Sequence, residues 1–135
     1  MERLNERLAT ARTALATLNE LLCKSVRSNV ERDAAIQRFE YTFEATWKAA
    51  QLYLRVVEGL EVGSPKRAAR AGLQVGLFDE AHVRQLLIMV DDRNLTVHTY
   101  NEQLAEEINS RLCGHALLLE HWLDQMAARL PESNK

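Results

Sequence analysis

Leu4-Asn5-Glu6-Arg7-Leu8-Ala9-Thr10-Ala11-Arg12-Thr13-Ala14-Leu15-Ala16-Thr17-Leu18-Asn19-Glu20-Leu21-Leu22 opens the chain with a regular apolar repeat. Leu4, Leu8, Ala11, Leu15, Leu18 and Leu22 recur at alternating steps of four and three, the seam of a helical bundle or coiled coil. Glu2, Glu6, Arg7, Arg12 and Glu20 fall off that seam. The spacing predicts a first helix over Glu2 to Leu22, followed by a polar connection from Ser25 to Asn29. A second helix is expected over Val30 to Val57. Its stripe is Ile36, Phe39, Phe43, Ala50, Leu54 and Val57, with Trp47 and Tyr53 adding aromatic bulk. Gly59 and Gly63 read as its stops, since glycine is common past a helix C-terminus.

Ser64-Pro65 has the chemistry of a helix start, a capping hydroxyl followed by a proline that needs no N–H partner. It predicts a short third helix from Pro65 to about Leu73, stopping near Gly72 and Gly76. Asp79 is the expected cap of a fourth helix, with Val83, Leu86, Leu87 and Val90 inward, running into Asp91 and Asp92. Two acids at a helix C-terminus oppose its dipole, so Arg93 or a protonated His98 is the nearest expected compensation. Asn101 or Thr99 would cap a last helix over Glu102 to Arg129, with Leu104, Ile108, Leu112, Leu119, Trp122 and Met126 inside. Pro131 ends it, and Glu132 to Lys135 reads as a frayed tail. With no strand pattern, the expected fold is all-α, one domain over residues 1–135. It is an antiparallel up-and-down helical bundle of three long and two short helices.

Composition agrees. The 135 residues are 47% hydrophobic and 27% charged with only 5 Gly and 2 Pro, a balance that suits a packed helical protein. No apolar run reaches the roughly 20 residues of a membrane span, and no signal-peptide core is evident. Cys23 and Cys113 read as buried, reduced thiols, which points to a cytoplasmic home. The net charge of −2 argues against a general nucleic-acid binder. The local group Lys66, Arg67 and Arg70 is a solvated helix face or a small guide for a phosphate backbone.

Chemistry concentrates in Asp91-Asp92-Arg93-Asn94-Leu95-Thr96-Val97-His98-Thr99-Tyr100. An arginine can fix a phosphate, a histidine can move a proton near neutral pH, and a tyrosine offers a modifiable hydroxyl. On a straight helix Arg93 and His98 would point about 140° apart. The segment is therefore expected to break the helix, or its groups to meet those of a second copy. Run extended, it would put Thr96, His98 and Tyr100 on one side. Spacing alone leaves two readings: an arginine and a histidine serving a helix end, or a site. Metal and nucleotide-loop chemistry is not expected. No His has a Glu three residues before it, HExxH and paired Cys-x-x-Cys are missing, and Gly59 to Gly63 lacks the lysine of a P-loop. His82, His115 and His121 read as surface or satisfied core histidines with no nearby constellation.

The run Arg93 to Tyr100 resembles the R-x4-H-x-Y motif of HEPN-domain proteins of the HepT toxin type. Arg38-Phe39-Glu40-Tyr41-Thr42-Phe43-Glu44, with Thr46-Trp47-Lys48, is similar to the second-helix signature of nucleotidyltransferase substrate-binding proteins. Ser64-Pro65-Lys66-Arg67 with Ala71-Gly72-Leu73 resembles that group's third helix. Asp92 to Thr96 and His98 to Glu102 complete the pattern, in family order over roughly residues 38 to 108.

The resemblance implies a homodimeric helical bundle beside a minimal nucleotidyltransferase encoded nearby, with no cofactor of its own. In the toxin branch it implies a metal-independent endoribonuclease, with His98 as general base and Arg93 as phosphate clamp. Tyr100 is then the residue that the partner adenylylates, with Asn94, Asp92 and Thr96 supporting; the basic group Lys66, Arg67 and Arg70 is the candidate RNA contact. The alternative it allows is a non-catalytic substrate-binding partner subunit of a small nucleotidyltransferase. A helical interaction module without chemistry is the plainest reading.

Overall fold

The computed structural model describes residues 1–131, so the expected tail at 132–135 lies outside the described residues. Five α-helices and one 3-10 turn make up the described residues: α1 (Glu2–Leu22), α2 (Asn29–Val56), α3 (Pro65–Gln74), α4 (Glu80–Leu95), the turn Thr96–His98, and α5 (Glu102–Ala128). The helices start where side chains replace missing backbone partners. Ser28 and Glu31 form a reciprocal capping box on α2, and Ser64 caps α3 with Pro65 in its first turn. Asp79 accepts from the His82 amide and Asn101 from the Leu104 amide, which fixes the starts of α4 and α5. At the end of α3, Gly76 takes a left-handed φ of 81°, and the Leu77 amide returns to the Gly72 carbonyl, a Schellman close.

The expected seam is the inner face of α1: Leu4, Leu8, Ala11, Leu15 and Leu18 are buried, and Leu22 is half-buried at the rim. Phe39, Phe43, Trp47 and Tyr53 from α2 and Ile108, Leu112, Leu119 and Trp122 from α5 complete the core. Arg38 reaches back to the Thr17 carbonyl at 2.8 Å, which sets α1 and α2 antiparallel. Arg32, almost wholly buried, joins Glu102 and Glu106 at 2.9 and 2.8 Å, which holds the starts of α2 and α5 side by side. Lys66 meets Asp91 at 2.8 Å and lays the start of α3 beside the end of α4. Gly72 is tightly packed there, because a Cβ on it would stand 2.6 Å from the ring of Phe78.

Three expectations change. The fourth helix does not end at Asp91 and Asp92 but continues through Arg93 to Leu95. The following residues are not extended but wind into a 3-10 turn that still breaks the helix at Thr96. Cys23 and Cys113 are free thiols, as expected, but exposed rather than buried, since their positions fall outside the apolar stripes of α1 and α5. Among the described residues no helix is long and apolar enough to cross a membrane, and no three metal-ligating side chains are grouped.

Candidate functional site

The site is built where α4 unwinds. Asp92 points inward and is anchored by α5: Arg111 Nε and Nη2 donate to its carboxylate at 2.7 and 2.8 Å, and His115 Nε2 lies 2.6 Å away. Burial works to raise the Asp92 pKa, yet the Arg111 and His115 hydrogen bonds outweigh it and hold the group below its ordinary 3.8. Burial lowers the His115 pKa against the pull of Asp92. At neutral pH the imidazole is therefore uncharged, and its Nε2–H donates to the carboxylate. Its ring stacks on Phe39 of α2 with centroids 5.3 Å apart. The acids of the motif are thus compensated by α5 and α3, through Arg111, His115 and Lys66, and not by Arg93 or His98 as the local sequence suggested.

Arg93, one residue on, turns toward α2. Its Nη1 stands 3.7 Å from Glu40 Oε2 and donates to Thr96 Oγ1 at 3.3 Å, while the Thr96 hydroxyl itself bonds the Glu40 carboxylate. The buried Nε of Arg93 has no partner among the described residues. Glu40 and Thr96 aim the guanidinium, and because the side chain is 28% exposed, its N–H groups other than the buried Nε can take a further acceptor.

The 3-10 turn then carries His98 to the surface. Tyr100, 83% exposed, brings its hydroxyl within 3.3 Å of His98 Nδ1, with the two rings edge to face at 5.8 Å. A phenol oxygen accepting from Nδ1–H leaves Nε2 free as a base. Asn94 is exposed on the last turn of α4, and Leu95 and Val97 add apolar surface beside the site.

The expected RNA contacts divide. Lys66 is committed to Asp91, whereas Arg67 and Arg70 lie along an open groove shared with Glu61. Three site residues were not singled out from sequence: Glu40, Arg111 and His115. Glu40 sits inside the second-helix signature, so a signal for it existed. Arg111 and His115 are paired with a residue 19 and 23 positions away, and nothing local announces them. The reading of His115 as a satisfied core histidine holds, but its lack of a constellation does not.

Comparison with known proteins bears on this geometry. A family described as "Nucleotidyltransferase substrate binding protein like" matches residues 6–128. A protein of known structure from Thermus thermophilus is 58% identical, with a TM-score of 0.83 over 86% of this chain and 98% of that one. A Haemophilus influenzae structure, described as the fold of a substrate binding domain of a nucleotidyltransferase, is 19% identical with a TM-score of 0.74, covering 89% and 98%. The tri-AMPylated Shewanella oneidensis HEPN toxin, solved with its MNT antitoxin, is 19% identical with a TM-score of 0.77, covering 93% and 97%. The last two share the fold. No curated protein matches the chain. The family's pattern runs from the first turns of α1 to the last residue of α5, taking in the Arg93–Tyr100 corner, and the chain belongs to the nucleotidyltransferase substrate binding protein like family.

Proposed function

We propose that the protein is a HepT-like toxin of a two-gene toxin–antitoxin pair, a metal-independent endoribonuclease restrained by a minimal nucleotidyltransferase. The observation that carries this reading is the corner itself: a partly exposed arginine, aimed by α2, beside an exposed histidine whose Nδ1 meets a tyrosine hydroxyl. His98 Nε2 takes the proton of a ribose 2′-hydroxyl. The freed oxygen attacks the adjacent phosphorus, the bond from phosphorus to the 5′-oxygen breaks, and the leaving 5′-oxygen is protonated from solvent. Arg93 holds the phosphate and the charge that develops on it.

Tyr100 is the switch. Its phenol releases its proton to solvent as the oxygen attacks the α-phosphorus of ATP on the partner, pyrophosphate departs, and a tyrosyl-AMP remains. The added phosphate then sits beside His98 and Arg93, where it competes with RNA. The tri-AMPylated state of the Shewanella oneidensis toxin supports this reading by likeness of fold. Two copies of the chain would place two Arg-His pairs about one axis, and exposed Leu95 and Val97 give such a pairing apolar surface to cover.

Induced expression in a bacterial host tests the proposal. Growth arrest by the wild type, its loss in Arg93→Ala and His98→Ala, and its relief by the co-expressed nucleotidyltransferase are expected. Equal growth of wild type and both variants, at equal soluble levels, would favour the non-catalytic partner subunit.

A further inference from the structure

The outer surface between α1 and α2 carries a second feature that the core does not explain. Arg3, Arg7, Thr10, Ala14 and Thr17 form a stripe on α1 displaced by one residue from the buried seam, facing Arg38, Tyr41, Ala45 and Lys48 on α2. At one end, Arg3, Arg7 and Lys48 surround an open groove of about 340 Å³, with Glu6 the only acid lining it among the described residues. None of those three cations has an ion-pair partner among the described residues. Lys48 Nζ instead lies 5.0 Å above the ring of Trp47. A second groove of about 480 Å³ shares Thr10 with the first and continues it past Thr13 and Thr17 to Arg38 and Tyr41.

Three properties of this track point one way. Its first groove gathers unpaired positive charge from Arg3, Arg7 and Lys48 on a chain whose net charge is −2, so these cations do not reflect a generally basic surface, whereas Arg38 in the second groove is tied to Glu20 and the Thr17 carbonyl. The track adds the hydroxyls of Thr10 and Thr13, which are free to donate to phosphate oxygens (that of Thr17 is held by the Ala14 carbonyl at 2.7 Å), and it presents Tyr41, a 56% exposed aromatic ring with no core duty. Arg3 also sits in the first turn of α1, where a cation opposes the helix dipole. Cations that follow a backbone together with an aromatic platform that stacks any base are the parts of a single-stranded nucleic-acid track.

From Arg3 to Thr17 the stripe extends about 21 Å. Tyr41 follows Glu40, the residue that aims Arg93, so a single turn of α2 borders the groove on one side and the corner on another. We propose that the α1–α2 groove binds single-stranded RNA, with Arg3, Arg7 and Lys48 on its phosphates and Tyr41 under a base. This rests on the ribonuclease reading and supplies the substrate grip that the exposed corner lacks.

The test measures fluorescence anisotropy of a labelled, 2′-O-methylated oligouridine, which cannot be cleaved through its 2′-oxygen, over a range of salt. The wild type is compared with R3Q/R7Q/K48Q and with Tyr41→Ala, each verified as folded by circular dichroism. Loss of three phosphate contacts should weaken binding at least tenfold at low salt. It should also flatten the slope of log affinity against log salt by about 2, at about 0.7 per phosphate for single strands. Tyr41→Ala should weaken binding about fivefold or more without changing the slope. Unchanged binding in the triple variant, or a wild type that ignores the oligonucleotide but loses its nucleotidyltransferase partner on the same substitutions, would overturn the proposal. Binding through the groove without cleavage of unmodified RNA would leave the groove standing and remove the ribonuclease reading. Cleavage by the triple variant with unchanged KM would do the reverse.

Discussion

Asp92 and Arg93 follow one another in α4, yet the fold uses them in different ways. Asp92 is buried and held by three hydrogen bonds from α5, and it fixes where the helix lies. Arg93 and the turn after it hang from α2 by a long contact to Glu40 and end in two exposed rings. The difference teaches which substitutions should damage the fold and which should damage only the chemistry. An anchor repays its cost in stability. Groups left unsatisfied or exposed at a surface have no such duty and are free to serve a ligand.

The largest effect should come from cutting the anchor. Asp92→Ala strands a buried imidazole and a guanidinium, and should cost about 3 kcal/mol by urea denaturation. Asp92→Asn, which keeps an acceptor, should cost clearly less. The same anchor makes the protein acid-sensitive, with a sign that can be worked out. His115 and Asp92 both have folded pKa values below their ordinary ones, so the folded state binds fewer protons than the unfolded state. Stability should therefore fall as pH drops below about 6.5, where the unfolded histidine charges, and again below about 4 as carboxylates protonate. Glu31, held at about 2 chiefly by its Lys24 hydrogen bond, acts in the same lower window. His115→Phe should remove the upper part of that dependence, and an unchanged profile would show that the pair is not the sensor.

Smaller effects probe the other side of the comparison. Glu40→Gln removes the carboxylate that aims Arg93. It should lower stability by no more than about 1 kcal/mol while reducing kcat for RNA cleavage more than it raises KM. Identical kcat values for the variant and the wild type would dismiss Glu40 as a positioning residue. Tyr100→Phe should be the mildest, within about 0.5 kcal/mol in stability. Its reading is chemical: the mass added by the nucleotidyltransferase and ATP should vanish while cleavage persists. Persistence of that added mass would place the modification elsewhere.

Much of this was legible in the sequence because it is local. The four-three leucine seam of α1, the Ser64-Pro65 start and the Asp79 cap each depend on residues within a turn or two, and each stands where the spacing put it, while of the two caps open to the last helix Asn101 serves and Thr99 does not. The Ser28–Glu31 capping box was equally local, and the polar run from Ser25 masked it. What the sequence hid is nonlocal. Asp92 joins His115 across 23 positions, and Arg32 reaches Glu102 across 70, so no window along the chain displays either pair. For the same reason α4 could be read as ending on its two acids, when partners from α3 and α5 let it run on to Leu95. The Arg93–His98–Tyr100 grouping was legible as a motif, but not that α2 supplies the residue aiming its arginine.

The most direct test is RNA cleavage in EDTA by purified protein whose Tyr100 is shown by mass spectrometry to be unmodified, beside His98→Ala prepared identically. The account predicts cleavage by the wild type and a loss of about 10²–10⁴-fold in the variant, with matching urea midpoints because His98 is exposed and outside the core. Cleavage that survives in His98→Ala, or that needs a divalent metal, would contradict it.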